Sequence, residues 1–424
     1  MKILLKKATI IDPSSTHHNK TKDIFIQDGQ IISIKNKIEA KADKVFERDH
    51  YFVSPGWLDI FSDFGEPGFE KKETLISGSK VATKGGYTDV FLIPNTNPTF
   101  DSRKIIEQIN QHNQNQECAV HFYPLGNVTI GTQGEKLAEI YDLHNAGVVA
   151  FSDGIRNLHN DEILIKAFEY IKPTQKTILQ FPYRINQIKN GVALESPHNY
   201  TLGLKTFPSI LEEIAVWKDL QLAEYAQGSI HFTGISSLKS LEYIQKSKNK
   251  KRSLSCSVTP YNLSLSYDEL DSNYNTHLKL LPPLRSKNEV EKLKEAFLNG
   301  TIDFIASHHL PQEIDTKDCD FEAASFGMIS LQNCFAIVNT AIPQMPVERW
   351  VDAVSIKNRM FFNLEVPTIK ENSNAKLTLF SNEEESILTH STNSSLSVNT
   401  PFIDKKLKGK IYATLTKGKL NLNL

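Results

Sequence analysis

Hydrophobic and polar positions change rhythm twice along the chain. Residues 1–53 hold short β-prone runs at 3–11, 23–27, 30–34 and 44–46. Asp28-Gly29 between two of these runs predicts a hairpin turn. From Trp57 the pattern becomes strand followed by helix, repeated: strands are predicted at 57–63, 88–94, 117–124, 147–153, 177–182, 229–234, 253–259 and 303–309. Helical spacing of apolar residues follows most of them, at 73–84, 102–113, 134–145, 161–171, 209–225, 237–245 and 286–298. Beyond about Glu365 the chain returns to strands, at 375–380, 395–398, 410–416 and 420–423.

Serial βα units predict an α/β fold, a (β/α)8 TIM barrel with its active site above the strand C-termini. A β segment at each end predicts that the two termini pair into a small β-sandwich. The expected organisation is therefore a composite sandwich domain from 1–53 with 366–424, and a barrel from 54–365. The Asn/Gln-rich stretch 110–116 and the Lys/Ser stretch 246–253 read as solvated helix ends and connectors.

With 424 residues the chain can bury a large core, and a formal net charge of −1 provides no general attraction to nucleic acid or anionic membrane. Cys118, Cys256, Cys319 and Cys334 are scattered without a CxxC pair, which suits free thiols in a reducing compartment. Cys319 between Asp318 and Asp320 is a poor nucleophile, because flanking acids disfavour the thiolate. The first residues lack a signal-peptide core, and no apolar run approaches the ~20 residues that span a bilayer. A cytoplasmic location is expected.

One stretch organises the rest: Ser54-Pro55-Gly56-Trp57-Leu58-Asp59-Ile60-Phe61-Ser62-Asp63-Phe64-Gly65-Glu66-Pro67-Gly68-Phe69-Glu70. It resembles the first strand of dihydroorotases in the amidohydrolase superfamily, which ends in His-x-His, then Arg, then Glu-Pro-Gly-Phe-Glu. The likeness continues through Lys72-Glu73-Thr74, Lys84-Gly85-Gly86-Tyr87-Thr88 and Pro94-Asn95-Thr96-Asn97-Pro98. Further on it includes 147–154, Pro282-Pro283-Leu284-Arg285, Ser325-Phe326-Gly327, Asn399-Thr400-Pro401-Phe402 and Leu407-Lys408-Gly409-Lys410. The resemblance implies the same barrel and the same discontinuous accessory domain.

Hydrolysis of a cyclic amide requires an activated water and a polarised carbonyl, which one or two divalent metals supply. In the family that this chain resembles, the metal ligands are the first-strand histidines, a carboxylate or carboxylated lysine after strand four, and histidines after strands five and six. At those places this chain has Phe61 and Asp63, then Asp153, then Phe181 and Gly234. The substrate arginine is replaced by Gly65, and the substrate asparagine before Pro-Pro-Leu-Arg by Leu281. At strand eight the catalytic Asp position is His308, while His309 matches the substrate-binding histidine.

Asp63, Asp153 and His308 are thus the remaining candidates for chemistry, and Asn95 and His309 for substrate binding. Asn95 has a plainer role as a brace of its own loop. Strand alternation places His308 and His309 on opposite faces, and His231 away from Gly234, packed beneath the helices. No metal or other cofactor is expected; the alternative is one divalent ion such as zinc held by Asp63, Asp153 and His308.

Two readings follow. In the first, the chain is a catalytically inactive dihydroorotase-like protein; the resemblance suggests aspartate transcarbamoylase as its partner in pyrimidine biosynthesis, and a homo-oligomer is expected. In the second, it is an amidohydrolase acting on a cyclic amide through a rebuilt mononuclear or metal-free site.

Overall fold

The computed structural model describes all residues except 116, 184–187, 189, 190, 249–252 and 424. Strands β1 (Lys2–Ile10), β2 (Thr21–Gln27), β3 (Gln30–Lys35), β4 (Lys44–Glu47) and β5 (Phe52–Pro55) come from the N-terminal stretch. The Asp28-Gly29 turn joins β2 to β3 as antiparallel neighbours. Alternation along β1 and β2 buries Ile3, Leu5, Ile24 and Ile26 in one core, and a register shift between β2 and β3 brings Ile31 and Ile34 to the same core.

The barrel strands follow: β6 (Trp57–Ser62), β7 (Tyr87–Leu92), β8 (His121–Pro124), β9 (Ile178–Gln180), then β10 (Ala193–Leu194) and β11 (Thr206–Phe207) in a loop excursion, then β12 (Ile230–Phe232), β13 (Leu254–Val258) and β14 (Phe304–Ile305). Parallel pairing runs β6-β7-β8 and β9-β12-β13-β14. Phe151 bridges both gaps on one side, pairing in parallel with Gly126 and Ile178, so the 147–153 segment supplies the remaining strand. On the other side Ser62 pairs in parallel with His309 and closes the barrel. This is a (β/α)8 barrel. Its outward residues, such as Ile230, Phe232, Leu254, Cys256 and Val258, pack beneath the helices.

The C-terminal strands β15 (Leu377–Ile387), β16 (Lys406–Thr416) and β17 (Lys419–Leu422) return to the N-terminal sheet. The sheet order is β17-β16-β15-β5-β1-β2-β3, with β4 also on β1. A register shift between Leu5 and Ala8 lets the first half of β1 pair with β4 and the second half with β5, which bends the sheet over its core. β5 pairs with β15 as far as Pro55 and leads directly into β6, so the sandwich and barrel meet at the start of the organising stretch.

Some local expectations differ from the structure. Residues 395–398 form no strand; they lie as an irregular strap across the first barrel loop. The helix expected over 134–145 begins only at Ile140, because 128–138 is held in a hairpin-like loop by a Thr129–Leu137 bridge. Of the two connectors, 110–116 begins in the helix Arg103–His112 and 246–253 begins in the helix Leu238–Lys248; residues 116 and 249–252 lie outside the described residues. Cys118, Cys256 and Cys334 are buried free thiols, and Cys319 is exposed. Among the described residues no helix is long and apolar enough to cross a membrane.

Candidate functional site

The first-strand, fifth-strand, sixth-strand and eighth-strand positions converge at the top of the barrel. Phe61 lies flat on His308, with ring centroids 4.4 Å apart and planes at 26°. Phe181 closes on the same group, 6.3 Å from Phe61 and 5.6 Å from His308. Gly234, with φ +70°, makes the remaining space: a Cβ built there would stand 2.7 Å from His308 Cε1 and 2.8 Å from Pro282 Cγ. All three rings are fully buried or nearly so. Phe181 continues outward into a cluster with Tyr183, Leu194, Phe207 and Leu281, so Leu281 is part of an apolar lid above the stack.

His308 has φ +48°, beyond the end of β14 at Ile305. Simple strand alternation therefore does not govern the His308-His309 pair. The two rings nevertheless diverge: Nε2 of His308 bonds Thr233 Oγ1 at 2.8 Å, while His309 turns toward the first loop. Burial pushes the His308 imidazole down to about 3, so it is neutral at physiological pH.

A polar chain that sequence reasoning missed runs down the lumen from His308. Thr233 Oγ1 accepts from Ser257 Oγ at 3.2 Å, and Ser257 Oγ lies 3.1 Å from His231 Nε2. His231 Nδ1 bonds Ser255 Oγ at 2.7 Å, and its ring stacks on Phe304. His231 is therefore inside the barrel, where the sequence reading placed it beneath the helices. The reason is the register of β12 and β13: Ile230 and Phe232 face the helices, which sends His231 inward beside Ser255 and Ser257. Burial lowers its pKa to about 3.

Asp63 and Asp153 do not join this group. Asp63 Oδ1 accepts the Gly65 N–H at 2.8 Å, bracing the turn after β6. Burial raises its pKa, opposed by that N–H and by Lys72 and His309. Asp153 accepts from Val128 N and Thr129 N, both at 3.0 Å, and from Thr129 Oγ1 at 2.6 Å. Burial nonetheless pushes its carboxyl up to about 6.

Asn95 braces a different loop from the one expected. Its Oδ1 accepts the Ile155 N–H at 2.9 Å, and its side chain fills the space beside Gly154, where a Cβ would fall 1.8 Å from Oδ1. His309 has a partner that the motif comparison passed over. The Ser330 N–H donates to its Nδ1 at 3.2 Å, and its Nε2 lies 3.5 Å from Glu73 Oε2. Glu73 also accepts from Ser395 Oγ and, at 3.4 Å, from Leu396 N, so the pair is sealed under the 395–398 strap. The signal for Glu73 was its place in the family-like Lys72-Glu73-Thr74, read only as a helix start.

The donor set at the converging positions does not fit a zinc ion. Phe61, Phe181 and Gly234 have no donor atom, His308 Nε2 is engaged by Thr233, and Asp63 and Asp153 are turned to backbone N–H groups. What remains is a packed aromatic stack over a neutral polar chain.

A parallel barrel of this form, carrying a sandwich built from both chain ends and a site at the strand C-termini, is the architecture of the cyclic amidohydrolases. Among solved structures the chain is similar to L-hydantoinase (dihydropyrimidinase) from Arthrobacter aurescens, with TM-score 0.85, 20% identity and coverage of 99% of this chain and 95% of that one. It is likewise similar to dihydropyrimidinase from Brevibacillus agri, with TM-score 0.82, 19% identity and coverage of 99% and 95%. A dihydro-orotase-like family model matches residues 51–240. The dihydroorotase of Endomicrobium trichonymphae is 32% identical over 424 residues, 99% of each chain, and that of Syntrophus aciditrophicus is 30% identical over 425 residues, also 99% of each. The chain belongs to the dihydroorotase family.

Proposed function

We propose that this chain is a catalytically inactive dihydroorotase-like protein of pyrimidine biosynthesis, acting in the cytoplasm as a structural or regulatory partner of aspartate transcarbamoylase. The observation that carries the reading is the Phe61–His308 stack at 4.4 Å, with Phe181 beside it and Gly234 beneath. These four positions are where relatives would bind metal or orient water, and three of them now interlock as a plug. A plug of this kind stabilises the barrel at the expense of an open site. Preservation of the whole scaffold around it fits a protein kept for assembly.

The reading is tested by mixing the purified protein with aspartate transcarbamoylase. Co-elution, together with a change in carbamoyl-transfer rate or in its response to effectors, is the expected outcome. Separate elution with an unchanged rate would count against it.

The second reading is an amidohydrolase on a cyclic amide with a rebuilt site. The buried His309–Glu73 pair beside Asp63 supports it, since an imidazole and two acids share one enclosed place. Asp63, Asp153 and His308 as a shared zinc site find less support, because each is committed to different partners. Stoichiometric zinc in protein purified without chelator would favour this reading.

A further inference from the structure

The lower end of the barrel, where β8 begins, holds a cleft of about 730 Å³ on the opposite side from the Phe61–His308 stack. Its walls are the 365–376 segment and two hairpin tips, Asp28-Gly29 and Lys417-Gly418. The tips are in contact, since a Cβ on Gly29 would stand 3.1 Å from Gly418 Cα. His121 and Tyr123, two residues apart on β8, form the floor, with ring centroids 4.5 Å apart. The lower face of such a barrel ordinarily serves stability, so this cleft is separate from the site above.

Charges around the cleft do not balance. Asp89 is shared by two cations, Arg359 and Lys376, so that cluster keeps one positive charge in surplus. Lys417 adds a second: its Nζ donates to the Asn113 and Cys118 carbonyls, both at 2.8 Å, and among the described residues no carboxylate pairs with it. Burial lowers its pKa, and nearby Lys376 adds to the effect. Of the acids that line the cleft, Asp28 is held by the Met1 amine, which leaves Glu365 against Lys370, Lys376 and Lys417. Burial pushes His121 down to about 4, so its imidazole is neutral. Among the described residues neither that ring nor the Tyr123 hydroxyl has a hydrogen-bond partner, and both can bond a guest.

We propose that this cleft binds a small phosphate ester, its phosphate held by Lys376 and Lys417 and its organic part lying along His121 and Tyr123. The inference is independent of whether the upper site turns over. An ammonium has three donors; Lys376 uses one on Asp89 and Lys417 two on carbonyls, so both retain donors for phosphate oxygens. Two surplus positive charges match the near-dianion that a phosphate monoester is at neutral pH. The volume lies within the roughly 300–1,000 Å³ of small-molecule sites and is too large for phosphate alone, which points to an ester. Nucleotides and sugar phosphates share this chemistry, and a base has two rings to lie against.

The test is titration calorimetry of the full chain with adenosine monophosphate, uridine monophosphate, ribose phosphate, the two free nucleosides and inorganic phosphate. At least one ester should bind with Kd below about 1 mM, and at least about ten-fold more tightly than inorganic phosphate or a nucleoside. Lys417→Gln should weaken it at least about ten-fold, and Tyr123→Phe, which keeps the ring, at least about three-fold. Circular dichroism of both variants should match wild type, since Lys417 is exposed on a turn and Phe fills the Tyr123 position. A preference for the nucleotides assigns the organic part to a nucleoside, and the reverse to a sugar. Inorganic phosphate binding as tightly as the esters would mean an adventitious ion only. That result, no binding of any ester at millimolar concentration, or undiminished binding in either variant would overturn the proposal.

Discussion

At the scale of residues, Gly234 and His308 have to be understood together. The ring of His308 occupies the volume that a side chain at 234 would need, and the backbone at 234 is in the left-handed region. Gly234→Ala should therefore destabilise the fold by about 2–4 kcal/mol, from overpacking and from backbone strain. In a His308→Ala background the same substitution should cost at least about 1 kcal/mol less, because part of the clash is gone. Strictly additive denaturation energies would contradict this packing.

Asp153 makes a second residue-scale prediction, in pH. Its folded pKa of about 6 lies above the ordinary aspartate value, so between about pH 4 and 6 the native state holds the proton that the unfolded chain has released. Stability from this group is full below the unfolded pKa and declines as pH rises through the folded one. Asp153→Asn can keep both backbone N–H bonds on its oxygen, so its stability relative to wild type should rise from pH 4 to 6 by up to about 3 kcal/mol and stay level above. Urea titrations at pH 4, 5, 6 and 8 measure this, and a difference independent of pH would refute it.

These residues were only partly legible in the sequence. That Phe61, Phe181 and Gly234 carry no donor atom could be read from the sequence, because side-chain chemistry is local. That His308 would fill the gap could not, since it depends on a positive φ beyond the strand end. His231 was misplaced for a related reason: the inward face of a short strand is fixed by its neighbours' register.

At the scale of elements, the 395–398 strap replaces an expected strand. Its anchors are side-chain hydrogen bonds: Ser395 Oγ and Leu396 N reach Glu73, and Ser397 Oγ donates to the Lys72 carbonyl at 2.9 Å. Alternating Leu396 and Val398 looks like a strand, yet Ser395 and Ser397 bond Asn393, each other and the first barrel loop rather than a neighbouring strand. Glu73→Ala should unpair the strap and His309 together, at a cost of about 2–4 kcal/mol. Hydrogen exchange should show lost protection at 395–398 and around Ser330, with the barrel strands still protected; unchanged exchange at the strap would show that Glu73 does not hold it. Asn95 teaches the same lesson, since it braces the Gly154-Ile155 turn across the barrel mouth.

At the scale of the molecule, both chain ends share one sheet and one core, and a buried ion cluster ties that sheet to the barrel. Asp89 on β7 meets Arg359 at 2.5 Å and Lys376, at the entry to β15, at 2.6 Å. Burial alone would raise the Asp89 carboxyl, but Lys376 and Arg359 overcome it and hold it at about 2. The architecture was legible because the change from β runs to βα repeats and back is a property of long stretches, which single-residue errors do not disturb. The ion cluster was not, since its members are separated along the chain by the whole barrel.

The central claim is that a dihydroorotase scaffold has been kept while its site was packed shut. The most direct measurement is dihydroorotate hydrolysis at high protein concentration, with and without added zinc. The account predicts no turnover above the uncatalysed rate in either condition. Turnover that rises with zinc and disappears in Asp63→Ala or His309→Ala would contradict it.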